Sequence, residues 1–240
     1  MAIELPSEVV TFLQCIGVNW PQVNEDTVRE FATHVRTFAS DIEGTHQQAT
    51  ATVNAMGASY QANSYDLLVS KWAHLSQGHM HDLLEGCSVL ATALDDGADY
   101  IVAMKLSCIA ELTVMAVSFV ADQAAAVLTF GIAEAAEALI VEAADLAVDY
   151  MEQTIIQYIL AEVIGAALTP LLGIVEKAVS GMTYSALENM LGVSGSVGDG
   201  FTIQPDDLRT HAKTLAQHAA DVKAHAQNLT GNLAGLNFAS

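Results

Sequence analysis

Two apolar stripes of helical period, separated by a glycine, constrain this chain more than any other feature. Apolar residues fall at Val28, Phe31, Val35, Phe38, Ile42, Ala49, Val53 and Met56. These steps of three and four residues, or their sums, lay one continuous stripe along a helix. The pattern breaks at Gly57 and resumes at Tyr65, Leu68, Trp72, Leu75, Leu83, Cys87, Leu90 and Leu94. Neither helix can bury its stripe alone, so two long helices joined by a few residues fold back on each other. The expected arms are residues 25–56 and 60–95, antiparallel. Folding about a bend between residues 57 and 60 puts Phe38 near His79 and Ile42 near Leu75.

Composition agrees with an all-α chain. Of 240 residues 52% are hydrophobic, aromatics make up 6%, and there are only 4 prolines. Few segments alternate with period two, so strands are not expected. The net charge is −20, with 8 Lys and Arg against 28 Asp and Glu spread along the chain. Such a surface has no basic patch to neutralise phosphates, which excludes nucleic acid as a partner, and anionic lipid would repel it at neutral pH. Cys15, Cys87 and Cys108 are odd in number and sit in apolar surroundings, so all three read as buried thiols. The N-terminus carries Glu4 and Glu8 and no basic region, so a cleavable signal peptide is not expected.

Residues 8–17 read as a short apolar helix closed by Gly17, and Trp20-Pro21 forces an extended turn after it. Asn24 or Asp26 can cap the first long helix. Asp95-Asp96-Gly97 reads as a break or a kink. Residues 101–182 hold 10 acids and 2 lysines in an apolar background, and their longest uncharged window, 163–175, has 13 residues. That is short of the roughly 18–20 residues a membrane span requires. Glu134, Glu137, Asp145, Asp149 and Glu152 form one acidic stripe there. The leading expectation is a bundle core helix buried on three sides, and the competing one a segment that enters membranes once its carboxylates are neutralised. A helix from Pro170 to about Met190 precedes a glycine-rich linker, and Pro205 opens a last helix to about Leu229. The expected organisation is residues 1–100 as N-terminal helix plus hairpin, 101–191 as apolar helices packed on it, 192–204 as linker and 205–240 as C-terminal helix.

At the bend the sequence resembles the small type VII secretion substrates that carry a Trp-X-Gly turn between two such helices. The matching triplet is Tyr60-Gln61-Ala62, with Tyr for Trp and Ala for Gly, followed by Tyr65 and Trp72. Leu5-Pro6-Ser7 and Trp20-Pro21 resemble the start of the Trp-X-Gly-like N-terminal domains of actinobacterial polymorphic toxins. The resemblance covers roughly the first hundred residues, and the last helix is similar to the start of a second hairpin whose partner helix is missing. It implies an elongated helical bundle, a partner that is a small helical protein or the secretion machinery, and a toxin domain following downstream. It also implies export by a signal-peptide-independent route from the cytoplasm.

No phosphate loop, nucleophile elbow or paired-cysteine motif is present, so catalysis, cofactors and metals are not expected. His74, His81 and Glu85 can share a helix face, a spacing common by chance and without a further ligand. Two Tyr-X-X-X-Glu matches fit the type VII secretion tag, Tyr158 to Glu162 and Tyr184 to Glu188. The second is the better candidate because it precedes the linker. In the last helix Leu208, Leu215, Val222 and Leu229 recur every seven residues, with His211, His218 and His225 between them. The histidines either edge this seam and reach water, or are buried and neutral, which would make the arm releasable by mild acid. The function expected from all this is targeting and partner binding by helix recognition, with Phe31, Phe38, Tyr60, Tyr65 and Trp72 as anchors. The alternative is a membrane-active, channel- or pore-forming domain built on residues 101–182.

Overall fold

A computed structural model describes residues 3–20, 23–126, 133–174 and 202–238. The glycine-rich linker through residue 201 and the candidate tag Tyr184 with Glu188 lie outside the described residues. The chain is all-α, as expected. Helix α1 spans Ser7–Ile16, α2 Glu25–Ser59, α3 Asn63–Leu75, α4 His81–Ala126, α5 Ala133–Tyr158 and α6 Pro205–Ala234. A π-helical turn, Ser76–Met80, joins α3 to α4, and a longer one, Ile159–Leu168, extends α5. Two short strands, β1 Tyr60–Gln61 and β2 Thr202–Ile203, pair antiparallel with Tyr60 opposite Ile203.

Contacts divide the chain into two compact units. The first comprises residues 1–30, 93–164 and 237–240. Here α1 ends as its sequence requires: Gly17 takes φ 75°, the left-handed conformation that lets its N–H return to the Leu13 carbonyl. The α2 N-terminus is capped by Asn24, whose Oδ1 accepts from the N–H groups of Asp26 and Thr27 at 3.0 and 3.2 Å. Asn24 N–H and Thr27 Oγ1 in turn donate to the carbonyls of Phe238 and Asn237. Phe12 packs against Phe119 with ring centroids 5.4 Å apart, over a core that includes Val9, Ile101, Leu112, Val148 and Met151. Glu25 and Lys105 are buried in this unit and paired at 2.6 Å. The Glu25 carboxylate also accepts from the Ile3 N–H at 2.6 Å, and Lys105 Nζ also donates to the Val23 carbonyl.

Asp95-Asp96-Gly97 neither breaks nor ends α4. A β-carbon on the buried Gly97 would lie 3.2 Å from Ile159 and 3.4 Å from Val163, so this glycine admits a neighbouring helix instead of stopping its own. Residues 101–126 and 133–174 are helical as expected, yet the core reading is only half met. One stripe is buried, while Leu106, Val114, Val117 and Val120 on α4 and Leu139, Leu146 and Tyr150 on α5 stand exposed. Asp145, Asp149 and Glu152 face solvent. The three-cysteine expectation is corrected as well: Cys87 and Cys108 are buried, but Cys15 is exposed. The helix turns Phe12 and Leu13 inward and leaves Gln14 and the Cys15 thiol on its outer face.

The second unit comprises residues 31–92 and 165–236. Its core includes Val35, Ile42, Val53, Met56, Cys87, Leu90 and Leu171. Gly57 does not end α2, which runs two residues further before β1 closes it. Gly86 serves close packing too, since a β-carbon there would come within 2.7 Å of Leu171.

Candidate functional site

The hairpin bend gathers most of the aromatic residues that the sequence marks as anchors. Trp72 donates from Nε1 to Thr50 Oγ1 at 2.9 Å and stacks on His46, ring centroids 5.1 Å apart and planes 14° from parallel. His46 Nε2 meets Ser76 Oγ at 2.8 Å, and burial lowers its pKa below the ordinary 6.5. Tyr65 reaches back across the bend and donates to the carbonyls of Val53 and Asn54 at 3.2 and 3.3 Å. It occupies the space over Gly57, where a β-carbon would lie 2.6 Å from its hydroxyl. Tyr60 bonds Ser64 and meets Tyr65 edge to face, centroids 6.5 Å apart. These pairs set an antiparallel register in which Ser76 is level with His46 and Trp72 with Thr50, about one and a half turns away from the expected pairing of Ile42 with Leu75. Tyr60, Tyr65 and Trp72 are thus half-buried and spend their polar atoms inside the unit. Phe31 and Phe38 lie half-buried on α2.

Helix α6 runs antiparallel to α2 within the same unit. Ser59 Oγ donates to Asp207 at 3.3 Å, Gln204 N–H donates to the Ser59 carbonyl at 2.8 Å, and His34 and Asn232 meet at 3.4 Å at the other end. Between them His225 meets Thr45 Oγ1 at 3.0 Å and lies 3.7 Å from an Asp41 carboxylate oxygen. His211 and His218 are also half-buried. Both ring nitrogens of His218 are enclosed and have no hydrogen-bond partner among the described residues. Leu208, Leu215 and Leu229 lie half-buried on the same face, with Val222, 37% exposed, at its edge. The Asp41–His225 contact and the β1–β2 pairing escape sequence reasoning, because each joins residues well over a hundred positions apart.

His81 lies 3.8 Å from Glu85 on the exposed side of α4, and His74 meets His79 with ring centroids 6.4 Å apart. No three His, Cys, Asp or Glu residues among the described residues are grouped to hold a metal. Tyr158 of the first Tyr-X-X-X-Glu match stacks flat on Tyr100 at 4.1 Å. Its pKa is raised, first by burial and then by the charges of Asp96 and Glu162. In the first unit a surface cleft of about 470 Å³ opens between the end of α1 and α5, with Glu142 and Asp145 among its lining residues.

No curated protein and no solved structure matches the chain. The family model described as WXG100 like domain matches residues 2–147, which takes in α1, the whole hairpin and the first part of α5. With more than half of its length matched, and with the long antiparallel hairpin and its aromatic bend in place, the chain belongs to the WXG100-like domain family.

Proposed function

We propose that the chain is a secretion-targeting and partner-binding module of a type VII effector, working by helix–helix recognition and not by catalysis. The observation that carries this reading is the WXG100-like match across the hairpin. In the fuller form of the proposal it is the N-terminal domain of an actinobacterial polymorphic toxin. It leaves the cytoplasm without a signal peptide, alongside a small helical partner or the secretion machinery, and needs no cofactor. The aromatic bend supports a structural part for Tyr60, Tyr65 and Trp72, which stiffen the hairpin, while recognition falls to faces with unspent apolar surface. The test is expression of the tagged chain in a type VII-competent host and in the same host lacking a working apparatus. Accumulation in the medium only in the first is expected, and equal amounts in both would refute the targeting role.

A second reading, membrane activity, is favoured by one observation. Helical stretches Asn63–Ala121 and Ala138–Ile174 each hold an 18-residue window of mean hydropathy 1.7 and 1.8, of which only 33% and 22% is buried. By length and composition both are able to cross a bilayer, and neither is covered as a core helix would be. Dye leakage from liposomes at pH 7 and pH 5 tests it, and intact vesicles at both values would exclude it.

A further inference from the structure

Among the described residues, one apolar face of α5 in the first unit has no partner. Leu139, Leu146 and Tyr150 are 66%, 62% and 69% exposed, and their spacing of seven and four residues puts them on one side of the helix. Exposed single apolar residues are ordinary; three in register along one helix are the pattern of a docking stripe. Along one flank of this stripe run three exposed carboxylates, Glu142, Asp145 and Asp149, again spaced by three and four. Beyond that flank lies the cleft against α1. Its floor is apolar, from Ile16, Val18 and Val141, and its rim carries Glu142 and Asp145. The C-terminal end of α1 closes the cleft at Gly17, adding the partial negative charge of a helix terminus. From residue 106 to residue 174 the sequence contains no Lys, Arg or His, so every formal charge on the α5 side of this face is negative.

That charge pattern selects the occupant. A second copy of the chain would bring two acidic flanks together, and an anionic bilayer would be repelled by the same groups. We infer that this face of α5 docks an amphipathic helix whose aliphatic stripe is edged by Lys or Arg at matching spacing of three and four residues. One of those basic side chains enters the cleft, its aliphatic stem on Ile16, Val18 and Val141 and its head at Glu142 and Asp145. The inference rests on the recognition reading above and names the surface and the chemistry of the partner. It puts the partner outside the aromatic bend, whose polar atoms are already used within the second unit.

The experiment titrates the full 240-residue chain with a labelled synthetic Leu/Lys amphipathic helix of about 18 residues, long enough to cover the stripe, and with its Leu/Glu counterpart. Binding at least about tenfold tighter to the Leu/Lys helix is expected. Neutralising the rim with Glu142→Gln and Asp145→Asn should weaken it about fivefold, and Leu146→Ser about tenfold. Neutralising two exposed acids elsewhere, Asp82→Asn with Glu85→Gln, should change it less than about twofold. Circular dichroism of each variant should match the parent, since all these positions are exposed. Equal weakening by both pairs of neutralisations would mean diffuse attraction to an acidic protein, and would overturn the inference. So would protection of Leu146 by zwitterionic vesicles with no response to the Leu/Lys helix. If the Leu/Lys helix ignores these substitutions while the variants still reach the medium only from a host with a working type VII apparatus, the surface is wrong and the recognition reading stands. If the parent chain itself reaches the medium equally with and without that apparatus, the recognition reading falls separately.

Discussion

Replacing Lys105 with Met should destabilise the first unit by about 3–5 kcal/mol, the usual penalty for leaving one member of a buried ion pair without its partner. The structure makes this site a stringent case. Glu25 is 0% and Lys105 2% exposed, and the pair is closed at 2.6 Å. With Lys105 gone, the Glu25 carboxylate keeps only the Ile3 N–H and the α2 N-terminus to replace its lost hydration, and the Val23 carbonyl loses a donor. Near 2–4 °C per kcal/mol for a chain of this size, the melting temperature should fall by about 10 °C. Removing both charges with Glu25→Gln and Lys105→Met should cost less than the sum of the single losses, with coupling of about 2 kcal/mol or more. Urea denaturation of the parent, both single variants and the double variant provides the cycle, and amide exchange at the start of α2 reports the same site locally. A loss below about 1 kcal/mol for Lys105→Met, or single losses that add in the double variant, would refute the reasoning.

Acid should weaken the fold in two stages. His46 is held neutral by burial, so its contribution is full above 6.5 and declines as pH falls below that toward its lower folded value. For Glu25, burial by itself raises the pKa, but the bonds from Lys105 and the backbone and the lysine charge outweigh it and leave the carboxyl below its ordinary 4.5. That contribution is full above the ordinary value and is lost as pH falls through the folded one. Urea midpoints from pH 7.5 to 3 should show both stages, and an upper stage unchanged in His46→Gln would remove His46 from the explanation. Gly57→Ala should destabilise by about 1–2 kcal/mol, because the new methyl displaces Tyr65 by more than the better helix propensity returns; equal or higher stability would contradict the placement of Tyr65. Phe38→Ala should cost about 1–2 kcal/mol, less than a core phenylalanine, since the ring is half-buried; a thermal-melt loss of 3 kcal/mol or more would mark it as core. A maleimide should label Cys15 in the folded protein and reach Cys87 and Cys108 only on unfolding, as burial pushes both buried thiols up to about 11, helped at Cys108 by Glu111; three labelled thiols under native conditions would contradict the packing.

What the sequence determined by itself is what repeats along a helix or acts within one turn of it. The two stripes from Val28 to Leu94 compel a helical hairpin, because apolar area at period 3.6 must be covered by a second helix. Gly17, Asn24 and Pro205 mark helix ends by chemistry that acts within one turn of the chain, a left-handed glycine, a side-chain cap and a fixed φ. Tertiary structure decided the rest. Gly57 and Gly97 look like stop signals in one dimension, and only the position of Tyr65 over one and of Ile159 and Val163 against the other shows them to be points of close approach. Apolar density in residues 101–174 says that a helix forms there and cannot say how much of it is covered, since coverage depends on how many neighbours the fold supplies. The exposed stripe of Leu139, Leu146 and Tyr150 is therefore a property of the packing. The pairs Glu25–Lys105 and Asp41–His225 are 80 and 184 residues apart in the chain, a separation at which no local pattern specifies a partner.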